Sequence, residues 1–320
     1  MAAARMGGFA LMAAALVLCA WLAPTDAAKA ATAGAVQAET SATPLPVVIW
    51  HGMGDNYDSK GMHFVSSAVT EATGGAHVHL VKLASSPSDD AEASFIGRVS
   101  DQIDAACAAI AADDTIASAG AYNAIGFSQG GQFLRGLVEA CQSKPDMPQM
   151  RTLVTFGAQH QGVMSYKCEN QNSATCRWVE WLLSIGAYSD YCRHNIVQAQ
   201  YFKDYRDLDT YLEKNIFLPV FNNEKATPES AQYKRNLQSL DRLVLFMWTE
   251  DDMVIPKESS WFYEFNATSD APISLEKTAA YRALGLDALA EKGKLELRTI
   301  DGVHMMINST FLEGVVRQYM

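Results

Sequence analysis

The sequence predicts an α/β protein with a mostly parallel, doubly wound sheet, and two observations carry that prediction. Short apolar runs recur along the chain, and most lack the alternation of a strand with one solvated face, as expected for strands buried on both sides. Segments with helical patterns lie between these runs, and alternating strands and helices are typical of such a sheet. The apolar runs are residues 47–50, 78–83, 122–127, 153–156, 243–248 and 295–300.

The N-terminal segment predicts a secretory signal peptide. Arg5 precedes an apolar stretch at residues 8–22, and small residues follow it, which is the pattern of a signal with its cleavage site. We expect cleavage between residues 27 and 31 and assign residues 1–28 to the signal. The apolar stretch is too short to span a bilayer comfortably, so no transmembrane anchor is expected after cleavage. An uncleaved signal anchor is the alternative.

The remaining chain is predicted to form one domain with an insertion. Residues 29–44 lack periodicity and are expected to be a disordered lead-in, and residues 45–320 are assigned to the domain. Its insertion, residues 163–240, is rich in aromatic side chains. The formal net charge of −11 and the absence of a Lys/Arg run exclude nucleic acid as a partner, because phosphate binding needs basic patches.

A serine lies in the pattern Gly126-x-Ser128-x-Gly130, between a predicted strand and a predicted helix. This arrangement is typical of the nucleophile elbow, in which a sharp turn projects the serine Oγ outward. A serine hydroxyl is a poor nucleophile until a base removes its proton, and an acid must orient that base. In α/β hydrolases the order along the chain is serine, acid and histidine, each after a strand.

The acid and the histidine are found in that order. Asp251 and Asp252 follow the predicted strand at 243–248, and His304 follows the one at 295–300. Taken singly, His304 is better explained as a surface or structural histidine and Asp251 as a turn residue, but the joint order favours a catalytic triad. The remaining histidines precede the acid: His51, His63, His77, His79, His160 and His194.

Two backbone N–H groups are needed to stabilise the oxyanion of acyl transfer. One comes from the residue after the nucleophile, which is Gln129, and the other from a loop after an early strand. Glycines at positions 52 and 54 allow that loop to turn toward the serine, so Met53 is the predicted second donor.

Cysteines are expected to form disulfides in a secreted chain. Cys19 lies in the signal, and the other five are an odd number, so one thiol should remain free. Cys168 and Cys176 are close enough in sequence to close a short loop, and Cys107 and Cys141 lie on predicted helices that flank the elbow. A metal site is not expected, because no paired C-x-x-C occurs and no histidine has ligand spacing. Asn266 and Asn308 begin glycosylation sequons.

Several longer segments resemble the lysosomal palmitoyl-protein thioesterase family. They are VVIWHGMGD, YNAIGFSQGGQFLRG, GAQHQGV, GAYS, IVQAQYF and DGVHMMI. The resemblance extends from about Pro46 to the C-terminus. It implies an α/β hydrolase that removes long-chain fatty acyl groups from cysteine thioesters of S-acylated proteins or peptides, without metal or cofactor, in the lysosome or an equivalent acidic compartment, or after secretion.

The resemblance also assigns roles to individual positions. The nucleophile falls on Ser128 and the histidine on His304. The acid falls on Asp251, because Val254 and Pro256 follow it at the family's spacing, and Asp252 is the fallback. The oxyanion donors fall on Met53 and Gln129. The implied disulfides join Cys107 to Cys141 and Cys168 to Cys176, which leaves Cys192 unpaired.

The insertion is predicted to bind the acyl chain over the active site. Four of its side chains share one apolar face at helical spacing, and a fatty tail can be held only by apolar contact. This face could instead seal the insertion to the core. Two other functions stay open: a lipase or carboxylesterase acting on oxygen esters, and a catalytically silent secreted lipid-binding protein. The four residues are Trp178, Trp181, Leu182 and Ile185.

Overall fold

The structure is a computed structural model that describes residues 43–164, 186–266, 268–269 and 271–320. Its centre is a six-stranded parallel sheet in the order β2-β1-β3-β4-β5-β8, and β6 and β7 form a separate antiparallel pair. The doubly wound fold predicted from the apolar runs is confirmed. The strands are β1 (Val47–Trp50), β2 (Val78–Leu80), β3 (Ala121–Phe127), β4 (Gln149–Phe156), β5 (Arg242–Trp248), β6 (Glu264–Asn266), β7 (Ala271–Ile273) and β8 (Leu295–Ile300).

Helices cover both faces of the sheet, which explains why the strands are apolar without alternation. In the described residues the helices are α1 (Lys60–Thr73), α2 (Pro87–Ala93), α3 (Val99–Ala111), α4 (Asp114–Ala119), α5 (Gln129–Cys141), α6 (Asp190–Asn195), α7 (Val197–Gln200), α8 (Leu208–Lys214), α9 (Leu218–Phe221), α10 (Ser230–Gln238), α11 (Ala279–Ala283), α12 (Leu286–Glu291) and α13 (Ser309–Tyr319). One apolar cluster joins α1 and α13 to the sheet, and another joins α3 and α5 to its opposite face.

The order of the strands fixes where a site can form. The chain passes from β1 outward to β2, returns to β3 on the other side of β1, and then moves away through β4, β5 and β8. The helices that follow β1 and β3 therefore lie on opposite faces, α1 on one and α5 on the other. This leaves a crevice at the carboxyl ends of β1 and β3, the place where doubly wound sheets bind their ligands.

Three features of the sheet differ from the sequence prediction. The second strand ends at Leu80 instead of residue 83. The fourth strand begins at Gln149 instead of residue 153, and its start was missed because the first half of the strand is polar and does not belong to the apolar run. The hairpin of β6 and β7 was not predicted, since each of its strands has only three residues. None of these differences moves a residue of the candidate site.

The described part of the insertion packs on α5. Phe133 of that helix lies 6.5 Å from the ring of Tyr201 and 6.1 Å from that of Phe217. Arg135, fully buried, donates to the backbone oxygen of Phe221 at 3.1 Å and to the side-chain oxygen of Asn222 at 3.0 Å. These aromatics are core residues. The four side chains of the predicted acyl-binding face lie outside the described residues.

The cysteines follow the prediction where the structure describes them. Cys107 of α3 and Cys141 of α5 form a disulfide, which confirms that pair. Cys192 is free and buried. The predicted bridge between Cys168 and Cys176 lies outside the described residues.

The described ranges contain no helix that is both long and apolar enough to cross a membrane. Within the same ranges, no group of three or more His, Cys, Asp or Glu side chains is placed to hold a metal ion.

Candidate active site

Ser128 occupies a strained turn at the carboxyl end of β3. Its φ is +50° and its ψ is −121°, a region that a side chain disfavours at a cost of order 1–3 kcal/mol. Two backbone hydrogen bonds hold Ser128 in this conformation. Its N–H donates to the backbone oxygen of Phe156 at 2.7 Å, and its backbone oxygen accepts from Gly131 N–H at 3.0 Å. The turn carries the chain straight from β3 into α5, as the elbow motif predicts.

The glycines of the motif are required by close backbone contacts. A Cβ atom at Gly126 would lie 2.3 Å from the Cα of Gly131, and one at Gly130 would lie 2.4 Å from the oxygens of Trp50 and His51. Both distances are far below van der Waals contact. The glycines therefore let α5 pack against β3 and against the end of β1, which fixes Ser128 beside the loop after β1.

Asp251 and His304 form a hydrogen-bonded pair on the loops after β5 and β8. His304 Nδ1 lies 2.7 Å from Asp251 Oδ2. The other carboxylate oxygen accepts from the N–H groups of Met253 at 3.0 Å and Val254 at 2.9 Å. The Asp251 side chain is fully buried and that of His304 is 9% exposed. Of the two candidate acids, the structure thus brings Asp251 to His304, in the register chosen from Val254 and Pro256.

The ring of His304 is held from a second side. It packs edge-on against the ring of Trp248, with centroids 5.3 Å apart. A Cβ atom at Gly157 would lie 2.9 Å from His304 Cε1, so only a glycine leaves room for the ring. Packing and the Asp251 hydrogen bond together orient the imidazole.

Two cavities meet at Ser128. The larger, about 440 Å³, is lined by Gly52, Met53, Asp55, Ser128, Met253, His304 and Met305. The smaller, about 20 Å³, is lined by Met53, Ser128, Gln159, Val163, Tyr201, Met253 and Val254. Ser128 and His304 therefore face one common space, and Ser128 also borders a second.

The two predicted oxyanion residues flank the serine. Gln129 is the first residue of α5, directly after Ser128. Met53 lies on the loop after β1 and lines both cavities with Ser128. That loop passes close to the serine, since a Cβ atom at Gly52 would lie 3.3 Å from the Cβ of Ser128.

A buried network fixes the side chain of Gln129, and sequence reasoning did not find it. Gln129 Oε1 accepts from the Tyr201 hydroxyl at 2.9 Å and from Gln198 Nε2 at 3.1 Å. The Nε2 of Gln129 donates to the backbone oxygen of Ser94 at 3.1 Å. The only sequence signal was the pair of glutamines in the otherwise apolar segment IVQAQYF. Through these contacts the insertion braces the start of α5.

Asp90 holds the loop after β1, and it too was missed from sequence. Its Oδ2 accepts from the His51 ring at 2.9 Å and from Tyr57 N–H at 2.9 Å, and its Oδ1 accepts from Leu83 N–H at 2.7 Å. Burial raises the pKa of this carboxyl, but the hydrogen bonds from His51, Leu83 and Tyr57 outweigh it and leave the pKa below its usual value. Asp90 is therefore ionised, and its bonds to His51 and Tyr57 fix the two ends of the segment that contains Met53.

The sheet, the strained serine after β3 and the Asp251–His304 pair define an α/β hydrolase. Comparison with protein families matches residues 46–304 to the family described as palmitoyl protein thioesterase. The chain belongs to that family, and it is a hydrolase of the thioesterase and esterase class.

Named relatives agree with this placement. Palmitoyl-protein thioesterase 1 of Caenorhabditis elegans is 36% identical over 86% of this chain and 91% of its own. A palmitoyl-protein thioesterase-dolichyl pyrophosphate phosphatase fusion of Schizosaccharomyces pombe is 34% identical over 86% of this chain and 43% of its own. Lysosomal thioesterase PPT2-B of Xenopus laevis is 27% identical over 55% of this chain and 60% of its own.

Replacing Asp90 with Asn should lower kcat/KM for a short-chain thioester by roughly tenfold or more, because a loosened loop would displace Met53, the predicted second oxyanion donor. The pKa of Asp90 is lower in the folded protein than in the unfolded chain. Ionised Asp90 therefore stabilises the fold above the ordinary Asp pKa of about 4, and this stabilisation is lost as the pH falls below that value. The wild type should therefore keep this brace at mildly acidic pH. Steady-state rates and thermal unfolding at several pH values measure both effects.

The exposed neighbour Asp89 supplies the matched control, because it lies on the same helix without these contacts. Asp89→Asn should leave the rate near that of the wild type. Equal losses in the two variants would show that Asp90 does not act through the loop.

Proposed function

We propose that this enzyme hydrolyses thioesters between long-chain fatty acids and the cysteines of S-acylated proteins or peptides. The observation that carries the proposal is the Asp251–His304 hydrogen bond beside the strained Ser128, at one cavity, in a member of the palmitoyl protein thioesterase family. Ser128 is the nucleophile, His304 the general base and Asp251 the acid that orients it.

In the first half of the reaction His304 Nε2 takes the proton of Ser128 Oγ as that oxygen attacks the thioester carbonyl. Asp251 accepts from Nδ1–H, which fixes the required tautomer and stabilises the imidazolium. The carbonyl oxygen becomes an oxyanion held by the backbone N–H groups of Met53 and Gln129. Each such donor is worth on the order of 10²–10³ in rate.

The first half ends when the tetrahedral intermediate expels the cysteine sulfur, which takes the proton from His304 and leaves as a thiol, so that His304 is neutral again. The acyl group stays on Ser128 as an ester. A water molecule then gives a proton to His304 and attacks this ester, and the fatty acid leaves as Ser128 regains its proton. This chemistry needs no metal or organic cofactor.

The acyl chain is proposed to run toward the insertion. Val163 and Tyr201, both in residues 163–240, line the small cavity at Ser128, which supports this direction. That cavity has room for about one water-sized group, so most of the tail must be held further on. We propose the apolar face of Trp178, Trp181, Leu182 and Ile185 for that part.

The lysosome or an equivalent acidic compartment is the proposed location, with secretion as the other outcome of the signal peptide. The name of the Xenopus relative supports the lysosome. Asn266 and Asn308 are both exposed and are the proposed glycosylation sites. Asn308 also caps α13, since its side chain accepts from Phe311 N–H at 2.9 Å.

The choice between thioesterase and oxygen-ester hydrolase is tested by initial rates on hexadecanoyl thioesters and matching oxygen esters. We expect higher kcat/KM for the thioesters and a loss of at least about 10⁴ in kcat for Ser128→Ala, with circular dichroism showing that the variant is folded. Faster oxygen-ester hydrolysis would identify a lipase or carboxylesterase. Binding without turnover, unaffected by Ser128→Ala, would identify a lipid carrier.

Asp251→Asn should reduce kcat by about 10⁴, because the amide favours the wrong tautomer of His304. Asp252→Asn is the matched control: it changes the adjacent carboxylate, and kcat should be little altered. A dead Asp252→Asn enzyme with an active Asp251→Asn enzyme would show that the adjacent carboxylate is the acid of the triad.

Trp181→Ala tests the acyl-binding face by comparing thioesters of eight and sixteen carbons. Each buried methylene contributes about 0.8 kcal/mol, so the variant should lose kcat/KM mainly on the longer substrate. Equal losses on both substrates, or lower thermal stability alone, would show that the face only packs the insertion onto the domain.

A further inference from the structure

We propose that the 440 Å³ cavity receives the leaving group and favours a basic residue next to the acylated cysteine, with Asp55 as the charge that recognises it. This inference rests on the proposed thioesterase function. It concerns the peptide side of the substrate, which neither the family nor the triad defines.

The two cavities at Ser128 hold different parts of the substrate. At the tetrahedral carbon, one substituent is the Ser128 Oγ and another is the oxyanion, which turns to Met53 and Gln129. The leaving sulfur must face His304, since the same imidazole that took the serine proton is the group that can protonate it. His304 lines the larger cavity and is absent from the lining of the smaller one. The peptide therefore occupies the larger cavity.

The walls of the larger cavity are rich in methionine. Met53, Met253 and Met305 are among the described residues that line it. Methionine is flexible and polarisable, so it adapts to varied aliphatic groups. Lysine and arginine carry long methylene stems that pack on apolar surface while their charged heads reach a polar partner. Such a stem fits this lining, whereas a short acidic side chain gains little from it.

The larger cavity carries one carboxylate in its described lining. Of the described residues that line it, Asp55 is the only Asp or Glu. One of its oxygens accepts from Asn56 N–H at 2.9 Å, and no cationic side chain of the described residues lies within 4.0 Å of its carboxylate. The nearby Asp58 differs, because it pairs with His63 at 2.9 Å. Asp251 is already paired with His304 at 2.7 Å. Asp55 is thus the carboxylate left for a substrate cation.

The expected preference for a basic peptide is modest, because Asp55 is partly exposed to solvent. An ion pair open to solvent is worth a factor of about two to five, and an acidic residue in the same place is repelled by a similar factor. The two factors multiply when a basic and an acidic peptide are compared. We therefore expect the basic peptide to be preferred by roughly tenfold at low ionic strength, and less as salt screens the pair.

The experiment uses three peptides that carry a hexadecanoyl-cysteine followed by Lys, Gln or Glu and are otherwise identical. Values of kcat/KM are measured for the wild type, Asp55→Asn and Asp58→Asn at low and high salt. For each enzyme we compare the ratio of kcat/KM on the Lys peptide to kcat/KM on the Glu peptide. This ratio does not depend on the fraction of the protein that is active. Asp58→Asn is the matched control, since it removes one nearby negative charge that does not line the cavity.

The inference expects a ratio near ten in the wild type and in Asp58→Asn, and a ratio near one in Asp55→Asn. An unchanged ratio in Asp55→Asn, or an equal fall in Asp58→Asn, would overturn it. The Gln peptide is also assayed with an octanoyl group, and if Asp55→Asn alters the preference between eight- and sixteen-carbon chains instead, the cavity holds the acyl group and the inference is wrong. Failure of the wild type to cleave any of the peptides would refute the proposed function, whereas equal cleavage of all three refutes only the role of Asp55.

Discussion

The positive φ of Ser128 is the constraint on which the site depends. A serine in this conformation is disfavoured by itself, and it persists because β3 and α5 hold both of its ends. The close approach of Gly126 to Gly131, and of Gly130 to the end of β1, sets the angle at which the chain leaves the sheet. With that angle fixed, Ser128 faces the loops after β1 and β8, and Gln129 begins α5 with its backbone beside Ser128.

Most of the other residues around the site hold the Met53 loop and Gln129 in place through hydrogen bonds. Asp90 holds the loop of Met53 through His51, and Gln198 and Tyr201, which lie in residues 163–240, hold the Gln129 side chain. The insertion is itself fixed to α5 by the buried Arg135, whose partner Glu139 has a pKa that burial raises to about 7 despite the adjacent guanidinium. The insertion therefore contacts Gln129, a proposed oxyanion donor, as well as being the proposed acyl-binding element. A substitution there should alter catalysis through Gln129 even without touching substrate.

Patterns within short stretches predicted most of the fold and the central residues. Buried strands without alternation gave the parallel sheet, and the elbow glycines gave Ser128. The resemblance to the thioesterase family, matched at Val254 and Pro256, selected Asp251, and the hydrogen bond to His304 agrees with that choice. Asp90, Gln198 and Tyr201 could not be found in this way, because their partners lie far away in sequence. Asp90, for example, meets His51 across 39 positions, and nothing local marks a carboxylate in a short helix as the support of a distant loop.

The central claim is that Ser128 carries the acyl group between two half-reactions. Mixing the enzyme with a hexadecanoyl thioester peptide, quenching in acid within the first turnover and mapping the peptides by mass tests it directly. The account predicts one hexadecanoyl group on the peptide that contains Ser128, and none on the same peptide from Ser128→Ala. Turnover that persists in Ser128→Ala, or an acyl group attached to another residue, would contradict it.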